Sequence, residues 1–191
     1  MPLLSKYLTG ARLSRISQHL GVQVLDLGCG YGELLDYLPS TVSRIVLLDR
    51  SSERLEAVER RIASKKLSAT FLIAEIDRDD VNLDLAPFDT VVMAALLEHL
   101  RSPEIALKNL RRLMKSGATL VLTTPTPLGG KLHWIGSYLG LVYAEAAEEH
   151  VRFYNFSALE LLLEGAGFRV DYYEKFLFGL NQLVVSTIAQ C

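Results

Sequence analysis

Val24-Leu25-Asp26-Leu27-Gly28-Cys29-Gly30-Tyr31-Gly32 is an apolar run that enters three glycines at alternate positions, with a carboxylate two residues before the first. Glycine lets a backbone turn sharply and lets a ligand press against main-chain N–H groups that a Cβ would shield. The next run, Glu33-Leu34-Leu35-Asp36-Tyr37-Leu38, predicts a helix that starts where the loop ends. A strand, a glycine turn and a helix N-terminus build a nucleotide pocket at the carboxyl edge of a parallel sheet.

Working outward, strand and helix patterns alternate. Arg44 to Asp49 reads as a buried strand ending in a carboxylate. Ser51 or Ser52 can cap the next helix, where Leu55, Val58 and Ile62 share one face. Thr70 to Ala74 and Phe88 to Ala94 read as further strands, separated by the acidic loop from Glu75 to Asp84. Ser102-Pro103-Glu104 combines a cap, a proline at the first helical position and an acid in the first turn. The helix it opens carries Leu107, Leu110 and Met114 and is expected to stop at Gly117, before a strand from Ala118 to Thr124. Four strand-then-helix units in succession imply right-handed crossovers and a parallel sheet covered on both faces.

The last third breaks this rhythm. Residues 125–150 form a long connection, rich in Leu, Trp134, Tyr138 and Tyr143, that reads as an acceptor-side insertion or lid. Ser157-Ala158-Leu159-Glu160 has the pattern of a capping box, for a helix ending near Gly167. Phe168 to Phe176 and Asn181 to Ile188 are β-like runs joined by a short turn around Gly179, which requires a hairpin and one antiparallel strand. Residues 1–20 form a loosely amphipathic helical segment through Leu4, Leu8, Ala11 and Ile16. The reading is one α/β domain spanning residues 1–191.

Composition narrows the classes. Half of the 191 residues are hydrophobic, enough for a packed sheet and too many for general disorder. A net charge of -2 with no long basic run argues against nucleic acid as a partner. Cys29 and Cys191 imply no disulfide framework, so a reducing, cytoplasmic setting is expected. Lys6, Arg12 and Arg15 interrupt the opening apolar residues, which is unlike a signal peptide, and no run of about 20 apolar residues suggests a membrane span.

Four stations carry a family resemblance. They are Asp26 to Gly32, Asp49 at the end of the second strand, Phe88 to Val92 leading into Leu97-Glu98-His99, and Leu113 to Pro125. In this order the chain from about Val22 onward resembles the class I S-adenosylmethionine (SAM)-dependent methyltransferases, distantly those of ubiquinone biosynthesis. The resemblance implies a Rossmann-like sheet of seven strands in the order 3-2-1-4-5-7-6, strand 7 antiparallel, with helices on both faces. It implies methyl transfer from SAM to a small-molecule acceptor, with S-adenosylhomocysteine released, by a monomer or homodimer. Gly28 and Gly30 would let the methionine tail lie against the loop, with Cys29 as a small filler between them. Asp26 would place negative charge near the ammonium or tie the glycine loop together. Asp49, followed by Arg50, would accept the ribose hydroxyls or act as a helix N-terminal acid. Glu75 or Ile76 would edge the adenine, and main chain at Met93 and Ala94 would line the methionine side.

Two competitors stay in view. A nicotinamide dehydrogenase needs G-x-G-x-x-G, which puts a glycine where this chain has Glu33. A non-catalytic SAM-binding partner subunit with the same fold is the other.

The acceptor side is less determined. Methyl transfer is an in-line displacement in which positioning does much of the work, and a base is needed only when the nucleophile must lose a proton. The ubiquinone-type relatives carry Glu-x-x-Glu-His at a divalent metal, but here Ala95 takes the first place. Glu98 and His99 alone are too few ligands, so no metal is expected, and both could instead bond the start of the next helix. His150, in His150-Val151-Arg152-Phe153-Tyr154, resembles a pocket-facing histidine of small-molecule methyltransferases. His150 and His99 are therefore the candidate catalytic residues, and pinning of the lid is the structural alternative for His150. Apolar residues from Leu132 to Tyr143 suggest an apolar or amphipathic acceptor beneath a lid, or else a dimer or membrane-surface patch.

Overall fold

The computed structural model describes residues 3–62, 67–78, 87–130 and 152–189. Seven strands form one sheet: β1 (Gln23–Leu27), β2 (Arg44–Asp49), β3 (Ser68–Ile73), β4 (Phe88–Ala94), β5 (Met114–Pro125), β6 (Phe168–Phe176) and β7 (Asn181–Ile188). Their order is β3-β2-β1-β4-β5-β7-β6. β1 to β5 pair in parallel, while β7 runs antiparallel to both β5 and β6. This is the expected order with the expected reversed strand.

Alternation along the strands sends residues to two separate cores. Leu25, Leu27, Val91, Met93, Leu120 and Leu122 pack beneath α3 (Pro103–Arg112) and α4 (Phe156–Gly165). Val24, Ile45, Leu47, Val92 and Val121 pack on the other face with α1 (Leu3–Ile16) and α2 (Ser52–Ile62). Strands buried on both faces become near-continuous apolar runs, and β2 and β4 show this in sequence. α1 is held from outside the core too: Arg15 Nε donates to Glu174 of β6 at 2.6 Å, and its guanidinium lies over Phe176.

Four local expectations differ from the structure. Glu33 to Leu38 is a short 3-10 turn, Glu33–Asp36, because Pro39 leaves too few residues for an α-helix. α3 stops at Arg112, and Met114 already belongs to β5, opposite Phe88. The register then jumps to Thr90 opposite Thr119, so residues 115–118 bulge where a helical ending at Gly117 was expected. Ser102 makes no side-chain cap; its carbonyl accepts from Ile105 N and Ala106 N, both at 3.1 Å. Asn155, two residues ahead of Ser157, caps α4 by accepting from Ala158 N at 2.9 Å.

Two side chains brace the carboxyl edge of the sheet. Asn109 of α3 donates its amide to the carbonyls of Ile76 (2.9 Å) and Arg78 (2.7 Å), fixing the loop after β3. Gln182 Nε2 donates to the Tyr154 carbonyl at 2.6 Å, holding the approach to α4 against β7. Replacing Asn109 with Ala leaves the two carbonyls without their donor. It should lower unfolding free energy by about 1–3 kcal/mol in urea titration.

Candidate active site

At the carboxyl ends of β1 and β2 the chain turns through Gly28, Cys29, Gly30 and Gly32. The turn is hung on β2: Gly28 N and Cys29 N both donate to the Leu48 carbonyl, at 2.7 and 3.2 Å. Asp49, nearly buried, completes the clamp. Its Oδ2 accepts from Gly30 N and its Oδ1 from Ser51 N, each at 2.9 Å. Ser51 Oγ in turn accepts from Arg54 N and so caps α2.

Two glycines are needed for different reasons. A Cβ at Gly32 would come within 2.7 Å of Val58, so this position is set by packing on α2. At Gly30, φ is +57° and a Cβ would meet nothing nearer than the Glu33 carboxylate at 3.5 Å. Left-handed backbone with open space above it is a cradle for a ligand.

The electrostatics of the cradle are acidic. Asp26 is 2% exposed. Burial first, then the neighbouring Glu33 and Asp49, push its pKa up to about 8. Burial also pushes up the Cys29 thiol, with Asp26 and Asp49 adding to it, so the sulfur is an uncharged filler of the turn. A ligand carrying positive charge suits this cluster, and the ammonium and sulfonium of SAM supply it.

The remaining expected residues line the same edge. Glu75 and Ile76 follow β3, Ile76 buried and Glu75 paired with Arg78. Met93 is fully buried and Ala94 ends β4. Ala95 then takes φ +53°, a strained value for a residue with a Cβ, while its N–H donates to the Thr123 carbonyl at 2.9 Å. Arg50 is exposed at the end of β2. His99 lies in the 3-10 turn Leu97–His99. His150 and most of the 125–150 insertion lie outside the described residues. Among the described residues no three His, Cys, Asp or Glu side chains group as metal ligands, and no helix is long and apolar enough to cross a membrane.

Sequence reasoning missed Arg12. Burial lowers its pKa, Glu98 and Glu33 raise it, and its Nε makes no hydrogen bond among the described residues. The signal was available: Arg12 falls four residues from both Leu8 and Ile16, a cation within an apolar stripe. It also missed buried polar atoms without hydrogen bonds near the ends of β5 and β7, Thr123 Oγ1, Thr124 Oγ1 and Asn181 Oδ1.

A sheet of this order, with its reversed seventh strand and glycine turn, is the fold of class I SAM-dependent methyltransferases. A family model described as a methyltransferase domain matches residues 5–173, and the chain belongs to that family. Among curated proteins it is 28% identical over 116 residues to a ubiquinone biosynthesis O-methyltransferase of Coxiella burnetii, covering 59% of this chain and 49% of that protein. The Xanthomonas euvesicatoria protein of the same name is 24% identical over 170 residues, 86% of this chain and 71% of the relative. The match thus spans about half the length of the first of these relatives and more of the second. A SAM-dependent methyltransferase from Clostridium acetobutylicum superimposes with a TM-score of 0.71 at 14% identity, covering 97% of this chain and 91% of its own.

Asp26 makes stability depend on pH. Between its ordinary value of 3.8 and about 8 the folded chain keeps a proton that the unfolded chain has released. Stability from this group therefore falls as pH rises through that window and levels off above it. Asp26→Asn removes the penalty. Its melting temperature should gain on the wild type progressively from about pH 4 to pH 8, in thermal melts without ligand.

Proposed function

We propose that this protein transfers a methyl group from SAM to a small-molecule acceptor and releases S-adenosylhomocysteine. The observation that carries the reading is the acidic glycine turn: left-handed Gly30 with open space above it and the buried carboxyls of Asp26 and Asp49 at one sheet edge. SAM supplies an electrophilic methyl on sulfur, and the chain's own residues bind and orient. Asp26 faces the ammonium side. Asp49 keeps lone pairs for the ribose hydroxyls while its two backbone bonds hold the turn. Ile76 and Glu75 border the adenine, and main chain at Met93 and Ala94 runs beside the methionine portion. Arg12, between the charges of Glu33 and Glu98, suits the SAM carboxylate. The names of the curated relatives favour an oxygen nucleophile, and the apolar residues from Leu132 to Tyr143 favour an apolar or amphipathic acceptor.

Calorimetric titration with SAM tests the reading, and absence of binding to the full chain would refute it. Asp49→Ala should weaken SAM by about 1.5–3 kcal/mol, the scale of charge-assisted hydrogen bonds. Unchanged affinity would remove Asp49 from the ribose site. His150→Ala should lower turnover while leaving SAM affinity in place; a variant that fails to fold would assign His150 to structure.

A further inference from the structure

We propose that Glu98 is the proton-accepting carboxylate of this site and that the methyl acceptor presents a weakly acidic O–H group. The inference rests on the methyltransferase reading and extends it to the base and the acceptor chemistry.

Glu98 sits in the turn just past β4. Its backbone is secured independently of its side chain: the Glu98 carbonyl accepts the Arg152 N–H at 3.1 Å, and His99 N donates to Leu96 O at 2.9 Å. The approach to α3, which Glu98 could have bonded, is held instead by Asp77, which accepts from Arg101 N and Ser102 N. The side chain is 2% exposed, and its Oε2 has no hydrogen-bond partner among the described residues. The Thr124 hydroxyl adjoins the carboxyl and lowers its pKa as a donor would, although the pair falls short of full hydrogen-bond geometry and Thr124 Oγ1 has no other partner among the described residues. A buried carboxyl oxygen without a donor is costly, and such groups in native folds call for a functional explanation. These two face one another at the ends of β4 and β5, where open α/β sheets bind ligands.

The surroundings suit a base. Burial raises the Glu98 pKa, which strengthens it as a proton acceptor, while His99, its own backbone N–H, Arg12 and Thr124 pull the other way and favour the ionised form. Among the described residues, the titratable and charged groups around it are Arg12 from α1, His99 on its own turn, and Arg152 and Tyr154 ahead of α4; the Tyr154 hydroxyl feels both Arg152 and the Glu98 charge. Thr124 is positioned to orient the acceptor hydroxyl between the carboxylate and the methyl.

The step balances without a further reagent. An acceptor oxygen lone pair forms the new O–CH3 bond, and the S–CH3 bond breaks with its electron pair going to sulfur. The hydroxyl proton moves to Glu98 Oε2. The positive charge of the sulfonium and the negative charge of the carboxylate are lost together.

The test uses phenol, which must give up its proton, and 4-nitrophenol, largely ionised at neutral pH. Single-turnover transfer is measured on the full chain with SAM affinity, melting temperature and the pH–rate profile. Glu98→Gln should keep SAM affinity within about twofold and lose about 100-fold or more with phenol, but under about tenfold with 4-nitrophenol. It should also lose the acid limb of the profile. Equal losses on both phenols, or no loss, overturn the proposal. A wild type that binds SAM but methylates neither phenol overturns it as well. A wild type that does not bind SAM overturns the methyltransferase reading beneath it. Should Glu98→Gln not fold, Thr124→Val carries the same question: removing the hydroxyl that lowers the Glu98 pKa should move the acid limb to higher pH with SAM affinity intact. An unmoved limb excludes Glu98 as the base.

Discussion

The two backbone N–H groups that meet the Asp49 carboxylate hold the working edge of this protein together. Through Oδ2 the glycine turn after β1 is tied to the end of β2, and through Oδ1 the same carboxylate orders the entry to α2. A turn of left-handed glycines has little intrinsic preference for one shape, so it needs an anchor from another strand. The anchor is electrostatic and buried, which makes it stiff. Asp26 and Glu33 then crowd the same space, and Asp26 holds its proton up to about pH 8 as a result.

That arrangement links stability to ligand binding. Burial and the neighbouring acids raise the Asp26 pKa, so a cation bound there would relieve the cluster. Groups held in an unfavourable state by a rigid scaffold are preorganised for whatever relieves them. The same reasoning applies across the sheet edge, where Glu98, Thr124, Thr123 and Asn181 keep polar atoms without hydrogen bonds in the interior. The strained backbone of Ala95 joins the two halves, since it stands between β4 and the turn that carries Glu98.

Where sequence reading erred, competing local chemistry was the cause. Ser157 looks like a cap, but Asn155 reaches the free Ala158 N–H first, and Ser102 gives α3 its carbonyl rather than its hydroxyl. Met114 continues the spacing of Leu107 and Leu110, yet pairing with Phe88 of β4 draws it into a strand. Helical periodicity cannot register a partner strand whose own position depends on the rest of the sheet.

Strand identity, the alternation of elements, the reversed terminal strand and the glycine turn with Asp26 and Asp49 were all legible in the chain, because each is written in local spacing. What folding alone decided is which distant groups share a neighbourhood. α1 crosses the sheet and brings Arg12 within the field of Glu33 and Glu98, and β5 lays Thr124 beside Glu98. Such encounters depend on strand order and on the packing of helices over the faces, and those geometric relations leave no periodic mark along the chain.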